Sequence, residues 1–182
     1  MNIKDFEEKK TESSLIYDGC IVHLYRDNIE LPNGKQATRE VIRHIGAVCV
    51  LPLTDKNEVI CVRQYRYPFA KMLLELPAGK LDSKDENPEE AARREMREEV
   101  GALCKRLDYI GDIYPSPAIL DEVIRMYIAR DLTYTNTNPD DDEFLNIEYI
   151  PFDTLINMVV NGEIRDGKTQ TALLKAKIIL GL

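Results

Sequence analysis

The sequence predicts an α+β protein in two parts: a small antiparallel β-sheet region over residues 1–45, then a mixed sheet sandwiched by helices over 46–182. Three observations lead there. Strand-like segments dominate the first 76 residues, helix-like segments alternate with strands afterwards, and hairpin and capping residues punctuate both patterns. A chain of 182 residues can bury a real core. It has no apolar run near the ~18 residues of a membrane span.

The strands come first. CIVHLYRDNIEL (20–31) and QATREVIRH (36–44) are joined by PNGK, where Asn33-Gly34 tolerates the positive φ of a tight hairpin. AVCVLPL (47–53) and EVICVRQYRY (58–67) form a second expected hairpin through Asp-Lys-Asn. LLEL (73–76) is a short strand running into Pro77-Ala78-Gly79, and further strands are expected at 107–113, 123–129 and 145–150. Three helices follow from their punctuation. Asn87 as N-cap, Pro88, Glu89 and Glu90 in the first turn and Gly101 at the end define 88–100, with Ala92, Met96 and Val100 as its apolar stripe. A second helix over 153–161 is read as capped by Asp153 and ended by Gly162. A third occupies 168–180, with Leu173, Leu174, Ile178 and Leu180 as its expected packing residues.

The formal charge is −8 and the Lys and Arg residues are scattered, which argues against nucleic acid or anionic membrane as partners. The N-terminus MNIKDFEEKK is too charged for a secretory signal, so a cytoplasmic protein is expected. Cys20, Cys49, Cys61 and Cys104 are far apart without a CxxC pair, and read as buried core thiols in a reducing compartment. His23 and His44 are isolated in strand-like segments and make no metal site.

Within RREMREEVG (93–101), Glu95, Glu98 and Glu99 crowd one helix. Glu98 and Glu99 fall about 60° and 40° to either side of Glu95. Like charges so placed cost a helix about 0.2–0.5 kcal/mol per pair. Carboxylates one turn apart, near a Gly-containing loop, are suitable hard oxygen ligands for Mg²⁺ or Mn²⁺, and a cation would remove the repulsion. The spacing alone favours a solvated acidic face over a metal site. Arg94 and Glu98, four residues apart, can form an ion pair.

Gly79, Glu86 and the run Arg94-Glu95-Met96-Arg97-Glu98-Glu99-Val100-Gly101-Ala102 resemble the Nudix box, G-x5-E-x7-R-E-U-x-E-E-x-G-U, where U is bulky and apolar. Two positions depart from it: six residues separate Gly79 from Glu86, and Ala102 is a small final U. RQYRYPFAKMLLELPAGK, YPSPAILDE, DDDEF, GEIRDGKTQTALL and TREVIRHIGAV extend the likeness toward the ADP-ribose pyrophosphatase branch. That branch often carries Ser-Pro-Gly where this chain has Ser116-Pro117-Ala118.

The resemblance implies a Nudix-type α/β/α sandwich over 46–182. It also implies an N-terminal β region (1–45) that dimerises and forms part of the substrate site. The implied activity is divalent-metal-dependent hydrolysis of a nucleoside diphosphate linked to another group, with ADP-ribose giving AMP and ribose 5-phosphate. Other nucleotide sugars or oxidised nucleoside diphosphates are the alternative. A non-catalytic ligand-binding sensor is a remoter one, disfavoured because Glu95, Glu98 and Glu99 are all present. Position by position, Glu95, Glu99 and Glu98 with the Ala78 carbonyl would ligate two or more Mg²⁺ or Mn²⁺ ions per site. Arg94 would hold a box carboxylate in place. Glu143, in preference to Asp141, would be the general base on the loop before the last strand. Arg39, Glu40 and Arg66 would hold the nucleotide and its phosphates. Arg63 is expected on the opposite strand face from Arg66, as a surface charge or ion pair. A homodimer is expected.

Overall fold

Hairpin chemistry at Asn33-Gly34 shapes the first part of the chain. In the computed structural model, which describes residues 2–138 and 144–182, Gly34 adopts φ +80° between two antiparallel strands. These are β2 (His23–Glu30) and β3 (Gln36–Arg43), paired from His23–Arg43 to Glu30–Gln36. A preceding strand, β1 (Lys9–Asp18), pairs antiparallel with β2 and makes the sheet three-stranded. The sequence reading begins its strands at residue 20 and misses β1. All ten residues of β1 are exposed, so no inside–outside alternation marks it. Residues 1–45 together with 114–122 form one compact unit; 46–113 and 123–182 form another. Within the first, Ile42 N donates to Ile119 O and Ile42 O accepts from Asp121 N, and Asp27 is buried accepting from Ser13 and Arg43.

The second unit contains two sheets. β4 (Ala47–Pro52) is followed by β5 (Glu58–Arg66), β6 (Lys71–Glu75) and β7 (Ala78–Lys80). After α1 (Pro88–Val100) come β8 (Ala102–Ile113), β9 (Ile124–Tyr134), β10 (Leu145–Pro151), α2 (Phe152–Val160) and α3 (Gly167–Leu180). One sheet has the order β7-β4-β9-β8, with β4 and β9 parallel and the other pairs antiparallel; the other is the antiparallel β10-β5-β6. The expected β4–β5 hairpin is therefore corrected. The turn over 55–57 carries the chain from one sheet to the other, with a Leu53–Val59 bridge and a Thr54 N–Glu58 O bond beside it.

Every residue of β4 is buried, as expected of a strand covered on both faces. Ala47, Cys49 and Leu51 join the cluster containing Leu155, Ile156, Ala172, Leu173 and Ala176 of α2 and α3. Alternation turns Val48 and Val50 to the other face, where α1 packs on β4 through its buried Ala91, Ala92, Met96 and Val100. The mixed sheet between helices is thus present, with an antiparallel sheet preceding it. Among the described residues no helix is long and apolar enough to cross a membrane.

Helix ends follow local chemistry with two corrections. Asn87 caps α1, its Oδ1 accepting from Glu89 N at 2.9 Å, and Gly101 closes it at φ +61°. Asn87→Ala should destabilise the protein by about 1 kcal/mol in a denaturant titration; an unchanged midpoint would mean the cap contributes nothing. α2 starts one residue earlier than expected: Pro151 occupies its N-cap without a side-chain bond, and Asp153 sits in the first turn, where the helix dipole favours it. In α3 the buried stripe is Thr169, Ala172, Leu173 and Ala176, whereas Leu174 is exposed and Ile178 is 82% exposed. Asp166 caps this helix by accepting from Thr169 N, and Thr169 Oγ1 accepts from Leu76 N, placing that face against β6. Cys49 and Cys61 are buried, and desolvation pushes each thiol up to about 12, so they are inert core residues. Cys20 is exposed and Cys104 only partly buried, against the expectation for all four.

Candidate active site

α1 and β7 build the site. Glu95 and Glu99 do not lie on the helix's solvated face. They extend the stripe begun by Ala91, and are only 8% and 4% exposed. β7 runs against them. Ala78 N donates to Glu99 Oε2 at 3.3 Å, and a Cβ on Gly79 would overlap the Glu95 carboxylate. Glycine at 79 is thus a matter of space: backbone and carboxylate approach too closely for a side chain unless Glu95 moves.

Arg94 binds the acids together. Its Nη1 donates to Glu95 Oε1 (2.6 Å) and Glu98 Oε2 (3.3 Å), and its Nε to Glu86 Oε1 (3.2 Å). Arg97 adds a bond to Glu98 Oε1 at 2.9 Å. Glu86 also accepts from Asp82 N at 2.6 Å, so the extra loop residue is absorbed in a turn over 82–86 and Glu86 still reaches Arg94. Desolvation works against the Arg94 cation, but Glu86 and Glu95 outweigh it and raise its pKa.

Among the described residues no three His, Cys, Asp or Glu side chains are gathered into a ready-made metal site. The donor chemistry nevertheless fits a divalent cation. Two buried carboxylates one helical turn apart repel each other, and a hard cation is the counter-charge oxygen ligands of this kind accept. At Ala78 it is the amide that meets Glu99, whereas the expected role falls on the carbonyl. Glu143 and Asp141 lie outside the described residues, as do Asp140 and Asp142. The chain enters that segment beside α1, since Asn138 N donates to Glu98 O at 2.9 Å.

The expected phosphate and nucleotide residues are distributed. In the first unit, β3 carries Arg39, paired with Glu8, and Glu40, paired with Arg26 at 3.3 Å; all four side chains are substantially exposed. Exposed pairs of this kind are worth about 0–1 kcal/mol and exchange readily for a ligand. In the second unit, Arg63 pairs with Glu148, while Arg66 directs Nε and Nη2 at Glu75 (2.7 and 2.6 Å).

Glu75 and Lys168 were missed by sequence reasoning. Glu75 is 2% exposed, and Lys168 from α3 also reaches its Oε2, at 2.5 Å. A lone acid inside LLEL, among core leucines, was the available signal, because unpaired Glu is almost never buried. Burial alone would raise the Glu75 pKa, but the Arg66 hydrogen bonds and the Lys168 charge outweigh it and lower it from 4.5 to about 2. The ionised pair therefore adds stability that is complete above pH 4.5 and fades as pH falls toward 2. Thermal melts between pH 6 and 2.5 should show a shallower acid loss in Glu75→Gln than in the wild type; equal slopes would refute the shift.

A NUDIX domain model matches residues 43–170, and the chain belongs to that family. It is 38% identical over 173 residues to an ADP-ribose pyrophosphatase of Bacillus subtilis (strain 168), covering 94% of this chain and 93% of the relative. It is equally 38% identical, over 172 residues, to a methanol dehydrogenase activator of Bacillus methanolicus, covering 93% and 92%. Among solved structures, a crystal structure of an ADP compounds hydrolase superposes with a TM-score of 0.86 at 21% identity, over 96% of this chain and 95% of that one, a likeness of fold.

Proposed function

We propose that this chain is a divalent-metal-dependent pyrophosphohydrolase that converts ADP-ribose to AMP and ribose 5-phosphate. The observation that carries the reading is the buried Glu95–Glu99 pair, set against Gly79 and Arg94 inside a complete box helix. The similarity to an ADP-ribose pyrophosphatase over 94% of the chain supports the substrate.

Glu95, Glu99 and Glu98 with the Ala78 carbonyl are the residues assigned to two or more Mg²⁺ or Mn²⁺ ions. Bound there, such ions would neutralise the diphosphate and acidify a water. Arg94 keeps Glu95 and Glu98 oriented. Glu143, or Asp141 in its place, takes the proton of the water that attacks phosphorus. One P–O bond forms to that water and the bridging P–O bond breaks, giving two monophosphates. Arg39 and Glu40 are assigned to the nucleotide, and Arg66 to a diphosphate oxygen. We assign the chain to the cytoplasm and to a homodimer. The dimer is supported by β1, exposed along its length with Leu15, Ile16 and Tyr17 about half accessible.

The test is phosphate release by a coupled phosphatase from a panel of nucleoside diphosphate derivatives, with Mg²⁺ and an EDTA control. Preferred turnover of ADP-ribose, abolished by EDTA, is the expected result. Faster turnover of another nucleotide sugar would overturn the substrate. ADP-ribose binding without turnover of any compound would favour a sensor.

A further inference from the structure

A chain of alternating charges crosses the second unit from β5 to α3. Arg66 grips Glu75 through two parallel bonds, Lys168 Nζ bridges Glu75 Oε2 and Asp166 Oδ1 (3.1 Å), and Asp166 caps α3 through Thr169 N. Thr169 in turn accepts from Leu76 N at 2.9 Å, tying α3 to the residue after Glu75. Neutralising Glu75 needs one cation, which Arg66 supplies in the strongest available geometry. The second cation, Lys168, is 12% exposed and costly to desolvate; it balances Asp166 and also holds Glu75 through Oε2, so Glu75 is gripped twice.

The arrangement has a direction. Glu75 is sealed from solvent while Arg66 retains 38% of its side-chain exposure, and the fork on Glu75 uses Nε and Nη2, leaving Nη1 outside that pair. Leu76, bonded to Thr169, leads through Pro77 into Ala78, whose amide donates to Glu99 Oε2 at 3.3 Å and which pairs with Cys49 in the sheet. The array thus adjoins the box carboxylates. A guanidinium whose rotation is already arrested loses little further freedom on meeting a phosphate oxygen.

We propose that Lys168 and Glu75 are positioning residues, which with Asp166 hold the Arg66 guanidinium fixed for an anionic oxygen of the diphosphate substrate. This rests on the hydrolase reading above. The array acts through binding, so its removal shows in KM more than in kcat. KM is also independent of the fraction of enzyme that is folded.

The experiment measures kinetics on ADP-ribose with Mg²⁺, and Tm, for the wild type, Lys168→Met, Lys168→Arg and the double variant Glu75→Gln/Lys168→Met. Lys168→Met should raise KM about tenfold, with kcat per folded enzyme within about threefold, and Lys168→Arg should bring KM back toward the wild type. The double variant removes both buried charges together, so Tm recovers while KM stays raised. If Lys168→Met does not fold, the other two variants decide. A wild-type KM in the double variant, or a loss confined to kcat, would show that the array only supports the fold. A wild type inactive on ADP-ribose would instead overturn the hydrolase reading, and this assignment with it.

Discussion

Replacing Glu99 by Gln should lower kcat by about 10²–10³-fold, the usual cost of losing one preorganised electrostatic contact at a reacting centre. The change is conservative in shape. Glutamine keeps an oxygen that can accept from Ala78 N, so the anchor between α1 and β7 survives. What disappears is one of two negative charges buried a turn apart. The melting temperature should therefore hold or rise, because like-charge repulsion is relieved. Activity and stability moving in opposite directions is the signature of a group kept for chemistry. Calorimetric titration with Mn²⁺ should show weaker binding in the variant. A kcat within threefold of the wild type would remove Glu99 from the site.

Gly79→Ala is the second large effect, and it works by displacement. The added methyl would occupy the place of the Glu95 carboxylate, which sits at the end of a flexible side chain and can move aside. The fold should survive with a loss of about 1–3 kcal/mol, as for other overpacked sites. Glu95 would leave its position against β7 and loosen its bond to Arg94 Nη1. Turnover and metal affinity should fall about 10–100-fold, as when the support of a metal ligand is lost. Normal Mn²⁺ affinity and turnover in a folded Gly79→Ala protein would show that Glu95 does not need this close approach.

Much of this architecture is legible in local chemistry. Asn87, Pro88 and Gly101 bound α1 to the residue, and Asn33-Gly34 makes its hairpin. These signals are short-range: a cap or a turn is decided by the backbone groups within a few residues of it. The failures have a common cause. β1 carries no alternation because no face of it is buried. The β4–β5 turn looks like a hairpin, yet β4 finds β9, distant in sequence, as its parallel partner. Ile178 is as apolar as Leu173, but the register of α3 leaves it in solvent.

The same division holds at the site. The sequence by itself determined the box helix, its three acids, the Arg94–Glu98 pair and the family to which they belong, because all lie within one helix and its approach loop. Tertiary structure alone decided that Glu95 and Glu99 face inward against β7, that Gly79 is required by a carboxylate, and that Arg66 is held by Glu75 and Lys168. Periodicity assigns a residue to a face, but burial depends on what packs there. Glu75 and Lys168, 93 positions apart in the chain, meet only when β6 and α3 come together around one core.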